Sequence, residues 1–330
     1  MALADGIGGS TLIDLWGWSD DAAPAPVRGG TRTTQIPTGG DLRYATVNSG
    51  GQVAVTTLTT AGSDVISDVA PTLSALNAAF PGALTLAPVG LVLDGRAVVV
   101  SGQTPCAVGF YDLTTTPAIP VANITAAATT ATCLASVSAD TSTAVAVIND
   151  PATTTWSAVD PRTGTVISSG TLANATERVE LSYDGSLVVF SDAASSTSVT
   201  VASTLDGSTR SITLPDGCRH ASSALWGSAL RAGRLAVICG ADRVGTVDIA
   251  DGGDLVSVLV ESFVSNTVAL SADASHVITK SSNESRNTLS EVDLTAGTAA
   301  LLHFGPWPSM QFPVFGYVDE STRRRSDPAR

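Results

Sequence analysis

The chain has 330 residues, of which 44% are hydrophobic and 14% charged, so it is too apolar for a disordered chain and long enough for one large or two modest domains. The formal net charge of −13 argues against nucleic acid as a partner, because phosphate binding needs concentrated positive charge. No apolar run reaches the roughly 18 residues of a membrane-spanning helix, so the sequence predicts no transmembrane segment.

A unit of apolar strand, Asp/Gly turn, Val-rich strand, loop and third strand recurs along the chain. Val and Thr suit a pleated, half-buried surface, and Asp-Gly supplies the positive φ that tight turns require. Helical periodicity is nearly absent, with one short helix expected at 72–80. The sequence therefore predicts an all-β chain. The copies of the central turn are spaced 40 to 48 residues apart, at Gly51, Asp94-Gly95, Asp140, Asp184-Gly185, Gly233 and Asp273.

Four-stranded units of about 40 to 50 residues repeated around an axis are typical of a β-propeller. The pattern D-G-x-V-V-V, followed by V-x-V-x-D-x-x-T-G-T, resembles the bacterial YVTN and quinoprotein-amine-dehydrogenase type of propeller over residues 40–304. Many propellers of this type are surface modules, so the resemblance implies a surface role. It implies no particular activity.

We expect a single propeller domain over residues 1–330, with seven four-stranded antiparallel blades and six as the alternative. The seventh blade is assembled from both chain ends. Residues 306–330 supply its inner strand at 311–318, and residues 10–38 supply a third strand at 11–18 and an outer strand at 31–36. Pairing of first and last strands would close the ring. The six complete blades are predicted at about 40–85, 86–129, 130–173, 174–216, 217–263 and 264–305.

The four cysteines include no CxxC pair. In the repeat register Cys218 precedes the inner strand of blade five and Cys239 ends the next strand, so a hairpin brings them to the same end. Cys106 follows the second strand of blade two, and Cys133 opens the inner strand of blade three. We predict the disulfides Cys106–Cys133 and Cys218–Cys239, with four buried free thiols as the alternative.

Disulfides imply an oxidising compartment, so we expect an extracellular, cell-surface or periplasm-like location. Residues 1–5 lack the features of a signal peptide, which suggests an excised ectodomain with its export segment removed and Met1 added. A composition rich in Ala, Thr, Val and Arg resembles exported proteins of high-GC bacteria.

The sequence carries no HExxH, GxSxG or P-loop signature, so no catalytic residue is assigned. His220, His276 and His303 fall on different strands of the repeat, and we interpret them as structural or surface histidines rather than as a metal site. The segment 251–254, Asp-Gly-Gly-Asp, lacks the ligand spacing of an EF-hand and is interpreted as a turn. No metal or cofactor is predicted.

Two weaker signals concern the central channel and the chain surface. Glu177 and Glu180 would offer paired carboxylates from an inner strand if they faced the channel together. Trp16, Trp18 and Trp307 are scarce bulky side chains, and the rigid segment 305–308, Gly-Pro-Trp-Pro, would present Trp307 to a partner. We name these three tryptophans as candidate binding residues, with packing between blades as the alternative.

The leading functional hypothesis is an exported or cell-surface, non-enzymatic propeller that binds a protein or cell-envelope component through one face of its ring. One alternative is an enzyme or sensor with a small-ligand or glycan site in the central channel. Another is a structural part of a larger, membrane-anchored surface or secretion assembly.

Overall fold

The computed structural model describes the strands and turns of most of the chain. The described residues are 2–6, 13–17, 25–30, 33–35, 42–47, 53–58, 64–67, 86–92, 97–103, 106–112, 119–126, 128, 130–138, 142–151, 153–192, 197–223, 228–260, 263–271, 273–283, 286–302 and 314–316. All regular elements in these ranges are β-strands, as the sequence predicts. The helix expected at 72–80 lies outside them.

The strands are numbered here in chain order. The first eleven are β1 (Ala2–Gly6), β2 (Ile13–Gly17), β3 (Ala25–Gly30), β4 (Thr33–Gln35), β5 (Leu42–Val47), β6 (Val53–Leu58), β7 (Asp64–Ser67), β8 (Leu86–Val92), β9 (Ala97–Gln103), β10 (Cys106–Asp112) and β11 (Ile119–Thr125). The next eight are β12 (Thr132–Val137), β13 (Ala144–Asn149), β14 (Thr154–Asp160), β15 (Thr165–Leu172), β16 (Arg178–Leu181), β17 (Leu187–Ser191), β18 (Ser198–Ser203) and β19 (Thr209–Thr213). The remainder are β20 (Cys218–His220), β21 (Ser222–Ser223), β22 (Leu230–Arg231), β23 (Arg234–Cys239), β24 (Arg243–Asp248), β25 (Val256–Leu259), β26 (Phe263–Leu270), β27 (His276–Asn283), β28 (Arg286–Asp293), β29 (Thr298–Leu302) and β30 (Val314–Gly316).

These strands form sheets that are built, with two additions, from four strands in sequential order. The two additions are β22, which pairs with β23, and β21, which pairs with β26. Among the described residues the sheets are sheet 1 (β4–β7), sheet 2 (β8–β11), sheet 3 (β12–β15), sheet 4 (β16–β19), sheet 5 (β20 with β22–β25), sheet 6 (β21 with β26–β29) and sheet 7 (β30, β1, β2, β3).

The repeated turns of the sequence are repeated hydrogen-bonded structures. The turns from third to fourth strand in sheets 3 to 6 each close with a bond from a glycine N–H to the carbonyl four residues earlier. Each glycine has a positive φ, which any other L-residue adopts only with strain. The four bonds run from Gly164 to Asp160, Gly207 to Ser203, Gly252 to Asp248 and Gly297 to Asp293.

Sheet 7 takes strands from both ends of the chain, because Leu3 on β1 pairs with Phe315 on β30. The predicted inner strand at 311–318 and third strand at 11–18 correspond to β30 and β2. The prediction for the outer strand is wrong, because residues 33–35 pair with β5 in sheet 1 and the outer strand is β3. Pro26 is tolerated in β3 because β3 is an edge strand, and one edge of it needs no main-chain donor.

The chain divides into two compact units. Unit 1 comprises Met1–Gly30, Ala193–Val201 and Arg210–Val318, and unit 2 comprises Thr31–Asp192, Ala202–Thr209 and Asp319–Arg330. In unit 1 the described core lies between sheets 5 and 6, with Ile238, Val268 and Val292 among its members. In unit 2 one core contains Cys106 and Phe110, and a second contains Trp156, whose ring centroid lies 5.6 Å from that of Phe190.

Candidate functional site

Each sheet has two ends of different character. In an antiparallel sheet of sequential strands, the first-to-second and third-to-fourth turns lie at one end, which we call the turn end. The connection from second to third strand, and the start of the first strand, lie at the opposite end, which we call the loop end. The two ends differ in how their polar groups are used.

Carboxylates at the turn end are held by serines in a repeated motif, Ser-x-Asp-x-Ser. In sheet 6 the Asp273 Oδ1 accepts from Ser271 Oγ at 2.7 Å, Ser275 Oγ at 2.8 Å and Ser275 N at 3.0 Å. These bonds, led by that from Ser271, lower the pKa of Asp273 to about 2. The same residues in sheet 4 are Ser182, Asp184 and Ser186, with Oγ to Oδ1 distances of 2.7 and 2.8 Å.

The motif also joins the two strands that it connects. The Ser271 Oγ accepts from the N–H of His276, and the Ser182 Oγ accepts from the N–H of Leu187. Sheet 3 repeats this bond from Thr143 N to Ser138 Oγ at 3.0 Å. Burial raises the pKa of Asp184, but the serine hydrogen bonds outweigh it and the net shift is downward. In both turns the serines therefore hold one carboxylate oxygen, Oδ1, in place.

A Ser-His-Asp set occurs at the turn end of sheet 6, but its geometry does not create a nucleophile. Ser275 Oγ lies 2.8 Å from His276 Nδ1, and His276 Nε2 lies 3.7 Å from Asp293 Oδ2. The hydroxyl of Ser275 also donates to Asp273, so the imidazole must donate to the serine oxygen instead of accepting its proton. This arrangement supports the structural interpretation of His276.

The other acidic residues considered in the sequence are the segment 251–254 and the pair Glu177 and Glu180. Gly253 N donates to Asp251 Oδ1 at 2.7 Å, and Asp254 Oδ2 pairs with Arg234 Nη1 at 2.7 Å, so the segment 251–254 is a turn. Glu180 on β16 is buried, whereas Glu177 is exposed. The two glutamates therefore do not present a common carboxylate pair. In the parts of the chain that are described, no group of three His, Cys, Asp or Glu residues is arranged to hold a metal.

Both disulfides are present at the loop end of their sheets, with the predicted pairing. Cys106 at the start of β10 is joined to Cys133 on β12, with Cα atoms 5.4 Å apart, so this bridge links sheets 2 and 3 within unit 2. Cys218 and Cys239 occupy opposed positions on β20 and β23, so the second bridge lies within sheet 5. All four cysteines are buried.

Asn149 adds a polar link at the same end of sheet 3. Its Nδ2 donates to the carbonyl of Thr176 at 2.7 Å, and its Oδ1 accepts from the Thr176 N–H at 2.8 Å. The side chain thus pairs with the main chain of the segment that enters sheet 4. Asn149 Nδ2 also donates to Thr132 Oγ1 at 3.3 Å, and Asn149 Oδ1 accepts from Thr154 Oγ1 at 3.3 Å. These two threonines begin β12 and β14.

The largest departure from the repeat lies in the first strand of sheet 5. Ala221 N donates to Ala236 O at 3.1 Å, and Ala236 N donates to Ala229 O at 2.7 Å. Ala221 and Ala229 therefore both pair with the same residue of β23. We call the described residues between them, 222–223 and 228, the excursion.

The excursion contacts sheet 6 at both of its ends. Ser222 and Ser223 pair in parallel with Thr267 and Val268, and Leu270 N donates to Ser228 O at 2.8 Å. Strand β26 itself has a register shift between Val264 and Val268. Irregular backbone of this kind is enriched next to binding and catalytic sites.

Polar side chains flank the excursion in buried positions. His220 is 2% exposed and Arg231 is 6% exposed, and they lie on β20 and β22 on either side of it. Ser228 Oγ donates to Leu230 O at 2.9 Å and accepts from Leu230 N at 3.1 Å, which orders the return of the chain. A buried charged guanidinium is costly unless it is paired, so Arg231 lies in a polar environment, and we take this region as the candidate site in unit 1.

The sequence reasoning missed this site, although a signal was present. From the sequence, His220 is interpreted as a structural or surface histidine, and no role is predicted for Arg231. The spacing of 48 residues from Gly185 to Gly233 exceeds those before it, and the turn before β23 has neither the Asp nor the serines of the motif. A longer repeat with an altered turn indicates an insertion.

The candidate binding tryptophans lie largely outside the described residues. Trp16 lies on β2, where it pairs with Leu3 of β1, while Trp18 and Trp307 fall outside the described ranges, as does His303. In sequence Trp18 follows β2, a third strand that runs towards the turn end of sheet 7. Trp307 follows β29, a fourth strand that runs towards the loop end of sheet 6.

Comparison with known proteins shows the fold. No family model matches the chain, and no curated protein matches it by sequence. A protein of Bacteroides fragilis proposed to be a 6-phosphogluconolactonase is similar in structure, with a TM-score of 0.61, 10% identity and coverage of 94% of this chain and 95% of that one. Hydrazine synthase of Kuenenia stuttgartiensis gives a TM-score of 0.53 and 14% identity, with 92% of each chain covered.

A prolyl endopeptidase is also similar, with a TM-score of 0.59, 11% identity and 89% of this chain covered. The chain spans 46% of the length of that enzyme. The described residues contain no helix long and apolar enough to cross a membrane. These similarities, with the four-stranded antiparallel sheets, show a fold of the β-propeller type.

Proposed function

We propose that the chain is an exported or cell-surface, non-enzymatic propeller of the YVTN type that binds a protein or cell-envelope component through one face of its ring. In this proposal the repeats form seven blades, with the blade of both chain ends closing the ring. The observation that carries the proposal is the contrast between the two ends of the sheets. Both disulfides and the link from Asn149 to Thr176 lie at the loop end, whereas the turn end of sheets 4 and 6 carries the Ser-x-Asp-x-Ser motif.

Repeated connections serve the scaffold, and varied connections are where proteins place recognition. Both disulfides support a binding role for the loop end, because a stiff surface loses less conformational entropy on binding. The double hydrogen bond from Asn149 to Thr176 restrains the loop end of sheet 3 in the same way. Two buried disulfides also support an oxidising, extracellular or periplasm-like location.

Within this proposal Trp307 contacts the partner. It follows a strand that runs towards the loop end and is bracketed by two prolines, which limit the conformations of the segment. Trp16 lies on a strand that runs towards the turn end, and Trp18 follows that strand in the sequence. We therefore assign the two groups of tryptophans to different surfaces, with Trp307 on the binding one.

The test is capture of envelope components by the oxidised protein, followed by cross-linking and mass spectrometry to locate the contact. We expect Trp307→Ala to abolish capture and Trp18→Ala to preserve it, with cross-links confined to connections at the loop end. Leu255→Ala, at an exposed position 40% accessible near the turn end, is the matched control. Equal capture by wild type and Trp307→Ala would contradict the assignment of Trp307 as a partner contact. Cross-links confined to turn-end residues would contradict the proposed function.

A second candidate function is a sensor or enzyme that binds a small polar ligand or glycan at the central channel. The excursion, flanked by buried His220 and Arg231, favours it, since the other described first strands have no such interruption. Binding of a neutral or acidic sugar should then perturb the NMR signals of Ser222 and Ser228. Arg231→Lys, which keeps the charge but loses the planar guanidinium, should weaken that binding if the site is real.

A further inference from the structure

The fourth strand of sheet 3, β15, presents a long uncharged edge. It pairs with β14 on one side, from Thr154↔Leu172 to Asp160↔Thr165. In the described part of the chain it has no strand on its other side, so main-chain N–H and C=O groups face outwards there. Such an edge is a template for a further strand unless something protects it.

Most of the other fourth strands carry charge or proline, whereas β15 carries neither and has only a β-bulge at Ile167. Charge, proline or a very short strand each hinders the addition of another strand. Strand β15 has eight residues, Thr-Val-Ile-Ser-Ser-Gly-Thr-Leu, without charge or proline, and it is the longest of the set. The others are β3 with Pro26 and Arg28, β7 with Asp64, β11 with Pro120, β19 with Arg210, β25 with four residues and β29 with five.

Exposed apolar side chains gather at one part of this edge. Val166 is 49% exposed and Ile167 is 41% exposed, and Ile167 is the extra residue where the register with β14 shifts. Leu205, in the neighbouring turn of sheet 4, is 73% exposed. The turn is fixed beside β15 by a bond of 2.6 Å from Ser168 Oγ to Thr204 O. These three residues form what we call the edge patch.

The negative charge next to the edge patch favours a basic binding partner over a second copy of this chain. Asp206 follows Leu205, is fully exposed, and accepts bonds from Ser208 N at 3.0 Å and Ser208 Oγ at 2.7 Å. These bonds lower the pKa of Asp206, so it is ionised at neutral pH. A second copy of the chain would bring another net charge of −13 to the same place, whereas a basic segment would be attracted.

We infer that β15 is a docking site for an extended peptide segment of another protein, which adds to sheet 3 as a fifth strand. The main-chain groups of β15 would bind the peptide backbone, the edge patch would bind an apolar β-branched side chain, and Asp206 would bind a Lys or Arg of the peptide. This site is separate from the loop-end surface of the proposed function and does not depend on it.

The test uses a synthetic peptide, Lys-Thr-Val-Thr-Ile-Thr-Lys with blocked ends, and fluorescence anisotropy with the full chain. Hydrogen exchange of residues 165–172 is measured in the same samples. We expect saturable binding with slower exchange in β15, and loss of both when alternate peptide nitrogens are methylated. Ile167→Lys should raise Kd about tenfold or more, and Asp206→Asn should raise Kd and reduce its dependence on salt.

The matched control is Leu259→Lys, which adds the same charge to β25 at a position 52% exposed. It should leave Kd unchanged within about twofold. Absence of saturable binding, equal binding of the methylated peptide, or an equal effect of Leu259→Lys would overturn the inference. Concentration-dependent dimerisation that protects β15 without peptide would overturn it in favour of a second copy.

Discussion

The stabilising effect of the inter-sheet disulfide can be predicted and tested. We consider Cys106→Ala/Cys133→Ala, which removes the bridge between sheets 2 and 3 without placing a hydroxyl in their apolar core. The bridge closes a loop with a sequence separation of 27 residues. Loss of that constraint on the unfolded chain is expected to cost about 3.5 kcal/mol in the chain-entropy treatment.

The second bridge provides a matched comparison. Its separation of 21 residues gives about 3.3 kcal/mol for Cys218→Ala/Cys239→Ala by the same treatment. The two double variants are therefore expected to lose nearly the same free energy of unfolding, because in this treatment the effect arises in the unfolded chain. The regions that are destabilised should differ, because Cys106 and Cys133 lie in unit 2. Cys218 and Cys239 lie in unit 1.

Urea denaturation followed by far-ultraviolet circular dichroism measures the loss, and hydrogen exchange locates it. The first variant should accelerate exchange in β10 and β12, and the second in β20 and β23. A loss below about 1 kcal/mol for the first variant would refute the reasoning, since removing a native disulfide typically costs about 2–5 kcal/mol. Free thiols in protein recovered from its native source would refute the oxidising location.

Three further predictions concern turns and packing. Gly170→Ala should destabilise unit 2 by about 1–3 kcal/mol in thermal denaturation, because the new Cβ would lie 2.8 Å from Nε1 of the buried Trp156; an unchanged Tm would contradict this packing. The pKa of Asp273 is lower in the folded chain than its ordinary 3.8, so its contribution to stability is present above pH 3.8 and is lost as pH falls towards about 2. Asp273→Asn should reduce the pH dependence of the free energy of unfolding between pH 3.8 and about 2. At neutral pH the variant should lose under about 1 kcal/mol, because the group is largely exposed. Urea titrations at several pH values measure both effects. Asn149→Ala should cost about 1–3 kcal/mol by leaving the buried main chain of Thr176 without its side-chain partner, and faster hydrogen exchange at residue 176 is the direct measure.

Local chemistry determined much of the architecture. A continuous apolar run such as Ala-Val-Ala-Val-Ile in β13 favours a strand that is covered on both faces, and Asp-x-x-x-Gly turns need only a glycine at positive φ. These features are short-range, so the all-β class, the recurring turns and the register of the cysteines could be predicted from the printed residues. Both disulfide pairings followed from that register.

Only the tertiary structure decided features that depend on pairing between distant segments. The choice of β3 rather than residues 31–36 as the outer strand of sheet 7 depends on which strand β2 meets, and local propensity does not distinguish the two. Ser222 and Ser223 pair with β26, a partner more than forty residues away in the sequence, and no local pattern indicates that pairing. Long-range pairing also buries Arg231 and brings Leu205 beside β15, since burial and proximity arise from the packing of sheets and not from the residues alone.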